Sequence, residues 1–320
     1  MVSFVTGAAG FIGSNLCAHL LRAGHEVVGF DNFLTGKREN VARVAKFGAA
    51  FRFIEGDIRD KAQLNAAIRG ARCVVHLAAQ GSVQKSFADV GMNNDINVGG
   101  FLNVLAAAGE AGAGVFVYAS SCAVYGNTET LPIVESLQPA PVSPYAVSKL
   151  ANELYSTSLD ATFPSMSLVG LRLFNIFGPW QDPAGDYAAV VPRWIDRLMR
   201  GEPPIIFGDG SATRDFCYVG NVCRFIETLA AIDAKRAHAV YNVGTGKATS
   251  LRDLYASIFR VLRELGIRSP KTGPEHRPWR AGDIVHSLSD ISSVKRALGY
   301  APGVELDEGL ELLMREQYAI

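Results

Sequence analysis

The sequence predicts an α/β protein built on a Rossmann-like doubly wound parallel sheet, with a smaller C-terminal α/β lobe. Three observations carry this expectation. In the first half, short apolar β-branched runs alternate with longer amphipathic stretches, the rhythm of βαβ units. A glycine-rich turn, Gly7-Ala-Ala-Gly10-Phe11-Ile12-Gly13, leaves the first run and opens the first amphipathic stretch. An acid, Asp31, follows the second run 18 positions after Gly13.

In chain order, the spacing predicts strands at 2–6, 26–30, 51–55, 73–77, 115–119 and 168–173. Helices with apolar residues at three- and four-residue intervals fall at 13–23, 63–68, 99–111 and 144–161. Parallel neighbours require right-handed crossovers, so the ligand edge lies at the C-terminal ends of the strands. After about Asn175 the pattern changes to loops rich in Pro and Gly, with helices at 189–200, 250–265 and 306–316. The expected division is therefore 1–174 and 175–320. One apolar run, 239–243, reads as a strand returning to the first sheet, which would interleave the two parts.

Composition limits the function. With 31 basic and 31 acidic residues the net charge is zero, so no global field attracts nucleic acid or an anionic membrane. The five cysteines are odd in number, scattered and free of C-x-x-C spacing, which argues against a disulfide framework and against a zinc site, and no metal is expected. The N-terminus lacks a basic and apolar leader, and glycines and polar residues break the uncharged stretch 111–128. A cytoplasmic, reducing setting is expected.

The glycine turn suits a pyrophosphate: glycine permits close backbone approach, and a helix N-terminus offers free N–H groups and a positive dipole end. Its spacing is G-x-x-G-x-x-G rather than G-x-G-x-x-G, so the surrounding residues matter. Asp31 would accept hydrogen bonds from ribose hydroxyls and repel a 2′-phosphate, favouring NAD over NADP; Lys37 and Arg38 work against that preference. Asn32 follows Asp31. Asp57 and Ile58 could hold an adenine amine and face, or Asp57 could cap a helix. Leu77, Ala78, Ala79 and Gln80 leave room for a ligand backbone, and Asn97 joins the expected cofactor set. His76, on an apolar strand, reads as a structural histidine.

Tyr145 and Lys149 are four residues apart on one predicted helix, so the ammonium can reach the phenol and lower its pKa from about 10 toward neutrality. Ser121 stands 24 residues before Tyr145 in Ala119-Ser-Ser-Cys-Ala-Val-Tyr-Gly126, where its hydroxyl could bridge a substrate oxygen and the phenol.

Taken together, these motifs resemble the extended short-chain dehydrogenase/reductases, and among them the NAD-dependent nucleotide-sugar 4-epimerases. The likeness spans nearly the whole chain and includes Leu-Arg172-Leu-Phe-Asn175, Arg214-Asp-Phe-Cys-Tyr218 and Arg280-Ala-Gly-Asp283. It implies Tyr145 as base, Lys149 on the nicotinamide ribose and Ser121 on the sugar hydroxyl. It also implies that 1–174 holds NAD and 175–320 the nucleotide sugar. Asn175, Arg214 and Arg280 would contact the pyrophosphate, with Cys122, Val191, Phe207, Asp283 and Ser287 completing the substrate set. Relatives form a homodimer through helices matching 99–111 and 144–161, although the same apolar positions could be core.

The dehydratases of this family carry an acidic pair after the catalytic hydroxyl residue, where this chain has Cys122 and Ala123; alanine cannot carry a proton, and 4,6-dehydration is disfavoured. A glutamate associated with decarboxylation is also absent from the segment. In relatives, a tyrosine at the place of Ser287 excludes N-acetyl groups and a small residue admits them. The resemblance therefore implies interconversion of UDP-GlcNAc and UDP-GalNAc, with UDP-glucose as a slower substrate. A UDP-glucuronate 4-epimerase, a reductase and a non-catalytic NAD-binding sensor remain as alternatives, the last disfavoured by the joint presence of Ser121, Tyr145 and Lys149.

Overall fold

The computed structural model describes residues 1–184, 189–267, 273–279 and 285–318. Strands β1 (Val2–Thr6), β2 (Glu26–Asp31), β3 (Phe51–Glu55), β4 (Cys73–His76), β5 (Val115–Ser121) and β6 (Ser167–Leu173) are parallel in the order β3-β2-β1-β4-β5-β6. Ala239–Val243 adds a seventh strand beside β6. The order reverses between β1 and β4, which creates a crevice at their C-terminal ends. Strand interiors are apolar because helices cover parallel sheets on both faces. Phe4, Phe30, Val74, Phe116 and Leu168 are buried in the resulting core.

The chain divides into two compact units. The first contains Met1–Gly126, Leu137–Leu173 and Val222–Tyr241; the second contains Asn127–Ser136, Phe174–Asn221 and Asn242–Ile320. The segment 222–241 is tied to the first unit by polar contacts that a linear reading cannot see. His19 Nε2 meets Glu227 Oε2 at 2.7 Å, and His238 Nε2 lies 2.9 Å from the Tyr118 hydroxyl. Lys235 pairs with Asp160 and donates to the Met166 carbonyl at 2.7 Å. The second unit has its own core, in which Trp194, Ile195, Leu198, Ile258 and Leu310 are buried.

Several elements differ from the sequence expectation. Helix Arg38–Ala45 was not anticipated, its first turn being too polar to show periodicity. The segment expected as one helix over 99–111 begins instead with a π-helical turn, Asp95–Gly100, followed by α-helix Phe101–Glu110. Gly100 permits this entry, since a Cβ there would lie 2.4 Å from Ile58 Cδ1. Phe101, Val104, Leu105, Ala107 and Ala108 are buried in the core of this unit. Among the described residues no helix is long and apolar enough to cross a membrane.

His76 ends β4, 2% exposed, with its Nδ1 2.9 Å from Thr6 Oγ1 and its ring among Phe101 and Phe116. Burial pushes its pKa from 6.5 down to about 3, and the Lys149 charge acts in the same direction. The ring is therefore neutral in the native state, and its contacts are those of a structural histidine. Because the unfolded chain takes up a proton near pH 6.5 and the native chain does not, the contribution of His76 to stability falls as the pH drops through that window. At pH 5 the loss is about 2 kcal/mol relative to neutral pH. Urea unfolding at pH 7 and pH 5 measures it: in His76→Gln the acid-induced loss should shrink by that amount, and an unchanged loss would show that other groups are responsible.

Candidate active site

The turn after β1 is shaped by contacts that exclude side chains. Gly7 has φ +71°, and a Cβ there would lie 2.7 Å from the Ala78 amide nitrogen on the loop after β4. At Gly13 a Cβ would sit 2.0 Å from the Gly7 carbonyl oxygen. No side chain caps helix Phe11–Arg22, which leaves the N–H groups of its first turn, including Phe11 and Ile12, for an anion. Gly7, Gly10, Asp31, Asn32, Asp57, Ile58, Leu77, Ala78 and Ala79 line one groove.

Within this groove Asp31 is 9% exposed, and its carboxylate accepts from the Ala9 and Phe33 amides at 3.0 and 2.8 Å. Burial raises its pKa while those two N–H groups oppose the rise. Arg38, which sequence reasoning set against NAD selectivity, donates to Glu55 at 3.0 Å and stacks over Phe33 at 4.2 Å. Asp57 is not a helix cap; Asp60 accepts from the Ala62 and Gln63 amides and takes that role. Asp57 instead accepts from Arg59 and from Asn32 Nδ2 at 2.9 Å, and the Arg59 hydrogen bond holds its carboxyl down at about 2. Asn97 lies behind the groove, 1% exposed. Its amide brackets Gln80, accepting from Gln80 N at 2.8 Å and donating to Gln80 O at 3.1 Å, and reaches Ser148 Oγ at 3.1 Å. The side chain fixes the loop and the neighbouring helix together, a place where a π-turn is commonly found.

The helix Pro144–Leu159 begins with Pro144 and is capped by Ser143, whose hydroxyl accepts from the Ala146 amide at 3.1 Å. The Tyr145 amide donates to buried Ser86 Oγ at 3.1 Å. This seating brings Tyr145 near Ser121, whose hydroxyl acts to lower the phenol's pKa, and places Lys149 Nζ 5.8 Å from the centre of the tyrosine ring. Lys149 is 3% exposed and has one protein acceptor among the described residues, the Ala119 carbonyl at 2.8 Å. Burial brings its pKa down to about 8. A buried ammonium with donors to spare is a suitable group for ligand hydroxyls.

One expectation is corrected. The sequence suggested that Lys149 lowers the Tyr145 pKa, but burial dominates and pushes the phenol up to about 12, against the lowering effect of the Ser121 hydrogen bond. The ammonium is directed at the Ala119 carbonyl, and desolvation of a phenolate costs more than it returns. Cys122 opens the short turn Cys122–Tyr125 and is the one cysteine of the five that is not buried.

In the second unit, the pairing of Asn175–Phe177 with Phe216–Tyr218 brings Asn175 to the Arg214-Asp215 segment, with Asn175 N donating to Asp215 O at 3.2 Å. Ser287 N donates to Thr213 O at 3.1 Å, and Arg214 Nη1 donates to the Val285 carbonyl at 3.1 Å. Asn175, Arg214 and Ser287 are thereby gathered around one backbone segment. Phe207 ends strand Ile205–Phe207, paired with Glu275–Arg277. Val191, expected at the substrate, is 1% exposed within this unit's core, so packing accounts for it. Arg280 and Asp283 lie outside the described residues.

The model of the NAD dependent epimerase/dehydratase family matches residues 3–244, which spans both the glycine turn and the Ser121, Tyr145 and Lys149 cluster. The chain belongs to this family. Relatives of three substrate types are similarly near to it. UDP-glucose 4-epimerase of Mycolicibacterium smegmatis is 36% identical over 314 residues, covering 97% of this chain and 96% of that protein. UDP-glucuronate 4-epimerase 2 of Arabidopsis thaliana is 31% identical over 336 residues, covering 97% and 74%. The solved structure of UDP-N-acetylglucosamine 4-epimerase from Methanobrevibacter ruminantium superposes with a TM-score of 0.88 at 33% identity, covering 99% and 98%.

As expected of an NAD-dependent epimerase/dehydratase, the groove fits a dinucleotide: side-chain-free glycines, an uncapped helix N-terminus and a buried carboxylate face it. Sequence reasoning missed Glu153, Ser86 and Asp215. Glu153 falls four residues after Lys149, a spacing that signals the same helix face, whereas nothing local marks Ser86, whose partner is 59 residues away. Asp215 was quoted in its motif without a role. It is fully buried and accepts from Thr245 N and Oγ1, Gly246 N and Ser289 Oγ, which ties three segments of the second unit together.

Proposed function

We propose that this NAD-dependent UDP-sugar 4-epimerase interconverts UDP-GlcNAc and UDP-GalNAc, with Tyr145 as the base that takes the proton from the sugar O4. The seating of the Tyr145 phenol against Ser121, one helical turn from the buried Lys149 ammonium, carries this reading. Bound NAD⁺ supplies a reversible hydride acceptor for C4, so that the sugar passes through a 4-keto form, together with positive charge that favours the phenolate. Ser121 orients the sugar hydroxyl toward the phenol, and Lys149 offers its spare donors to the nicotinamide ribose. The first-turn N–H groups after Gly10 hold the cofactor pyrophosphate, and Asp31 takes the adenosine ribose. Asn175 and Arg214 are assigned to the pyrophosphate of the nucleotide sugar, for which a planar guanidinium is well suited.

Two features favour epimerisation of an acetylated sugar over the family's other reactions. The segment after Ser121 offers no acid pair: Ala123 follows Cys122, and its amide is already given to Ser121 Oγ at 3.2 Å. Ser287 is a small residue at the place where bulk would exclude an N-acetyl group. The likeness to a UDP-glucuronate 4-epimerase supports a second reading, and parallel assays of the three UDP-sugars separate the two.

A homodimer is also proposed. Phe87, Val90, Val147, Leu154 and Tyr155 leave 60%, 55%, 53%, 62% and 42% of their surface exposed on helices Val83–Ala88, Val90–Asn94 and Pro144–Leu159. Apolar exposure of this extent suits a second copy presenting the same helices.

Three measurements test these assignments. Tyr145→Phe should reduce kcat by about 10²- to 10⁴-fold while UDP-sugar affinity stays within about threefold; full turnover would end the base role. Ser287→Tyr should depress turnover of UDP-GlcNAc by at least about 100-fold and largely spare UDP-glucose, whereas equal losses would remove Ser287 from sugar selection. Sedimentation equilibrium should show a dimer that Val147→Glu with Leu154→Glu converts to monomer; a monomeric parent would refute the interface.

A further inference from the structure

Tyr145, Lys149 and Glu153 recur every four residues along helix Pro144–Leu159, and they meet three consecutive residues of β5. Tyr145 lies by Ser121, whose hydroxyl acts on the phenol, Lys149 donates to the Ala119 carbonyl, and Glu153 Oε1 accepts from Ser120 Oγ at 2.5 Å. Glu153 also takes both arms of Arg172 on β6, Nε at 2.9 Å and Nη2 at 2.7 Å, while Arg172 Nη1 donates to the Tyr125 hydroxyl at 2.8 Å. The two charged side chains are 6% and 7% exposed.

A buried ion pair is a poor source of stability, because desolvating both charges offsets most of their attraction, and an apolar pair of the same volume would hold the helix to the sheet equally well. What the pair provides is direction. A guanidinium fork and a carboxylate match in one relative placement, and the Ser120 bond fixes the same carboxylate to the strand. We propose that Glu153, held by Arg172 and Ser120, is a positioning residue for the epimerisation: it sets the register of the helix along β5 and so places the Tyr145 oxygen relative to Ser121. This rests on Tyr145 being the base. Displacement of a reacting group by about 1 Å costs roughly 100-fold in rate, whereas groups that bind cofactor and nucleotide elsewhere are left as they were.

The test compares Glu153→Gln, Glu153→Asp, Ser120→Ala and Tyr145→Phe in the full-length holoenzyme, at a temperature where circular dichroism shows each to be folded. For Glu153→Gln, kcat should fall about 10- to 100-fold with KM and NAD affinity within about threefold, the signature of a lost transition-state placement. Glu153→Asp should recover part of the loss, and Ser120→Ala should lower kcat about three- to tenfold without shifting the melting temperature. A folded Glu153→Gln variant with parental kcat would overturn the proposal, as would loss of NAD and UDP-sugar binding in step with kcat. If Glu153→Gln does not fold, Ser120→Ala decides, and unchanged kcat there is refutation. Turnover retained by Tyr145→Phe would instead sink the base assignment, so the two failures are distinguishable.

Discussion

The reactive end of this molecule depends on one interface: the polar stripe of helix Pro144–Leu159 lying across the C-terminal ends of β5 and β6. Lys149 and Glu153 on that stripe are buried and Tyr145 is half-buried, and the side-chain bonds of Lys149 and Glu153 run to neighbouring strands. Burial has two opposed effects. It pushes the Tyr145 phenol up to about 12, so the phenol is not ready to lose its proton in the chain alone, and it brings the Lys149 ammonium down to about 8. Low solvation is also the condition under which an added positive charge acts strongly on a phenol.

The cofactor groove follows from a different constraint, the closeness of two backbones. Where the sheet reverses between β1 and β4, the two following loops approach until Gly7 has no room for a side chain beside Ala78. The polar residues around them are occupied in holding the loops: Thr6 with His76 and the Ala78 amide, and Asn97 with both backbone groups of Gln80. Asn97 also touches Ser148, the residue before Lys149, so the cofactor loop and the reactive helix are located by one side chain. In the second unit Asp215 has a comparable role, a buried carboxylate whose many donors hold the strand that carries Arg214 and the segment that carries Ser287.

Much of this was legible in the chain. The alternation of apolar runs and amphipathic stretches located all six parallel strands of the first unit and their main helices, because the two periodicities are direct consequences of backbone geometry. The glycine turn, Asp31, Ser121, Tyr145 and Lys149 were found because each is marked by residue type at a fixed distance from an element end. Helix Val219–Ala230 escaped notice despite its periodic apolar positions, and the other omissions lacked such marks. The helix Arg38–Ala45 is mostly polar, the π-turn before Phe101 has no signature in composition, and Asp57 and Asp60 are equally plausible caps until coordinates show which one reaches the free N–H groups. Val191 looked like a ligand contact and is core.

By itself, then, the sequence determined the doubly wound architecture, the phosphate turn, the preference for an unphosphorylated ribose and the residues that could exchange a proton, since periodicity and short-range spacing are local properties. Tertiary structure decided what those residues experience. It put Tyr145 where burial raises its pKa, joined Glu153 of helix Pro144–Leu159 to Arg172 of β6, and set Val222–Tyr241 in the first unit despite its late position. Each of these arises from side chains brought together across many residues of chain, and the free energy of a charge depends on what surrounds it in space, not on what adjoins it in sequence.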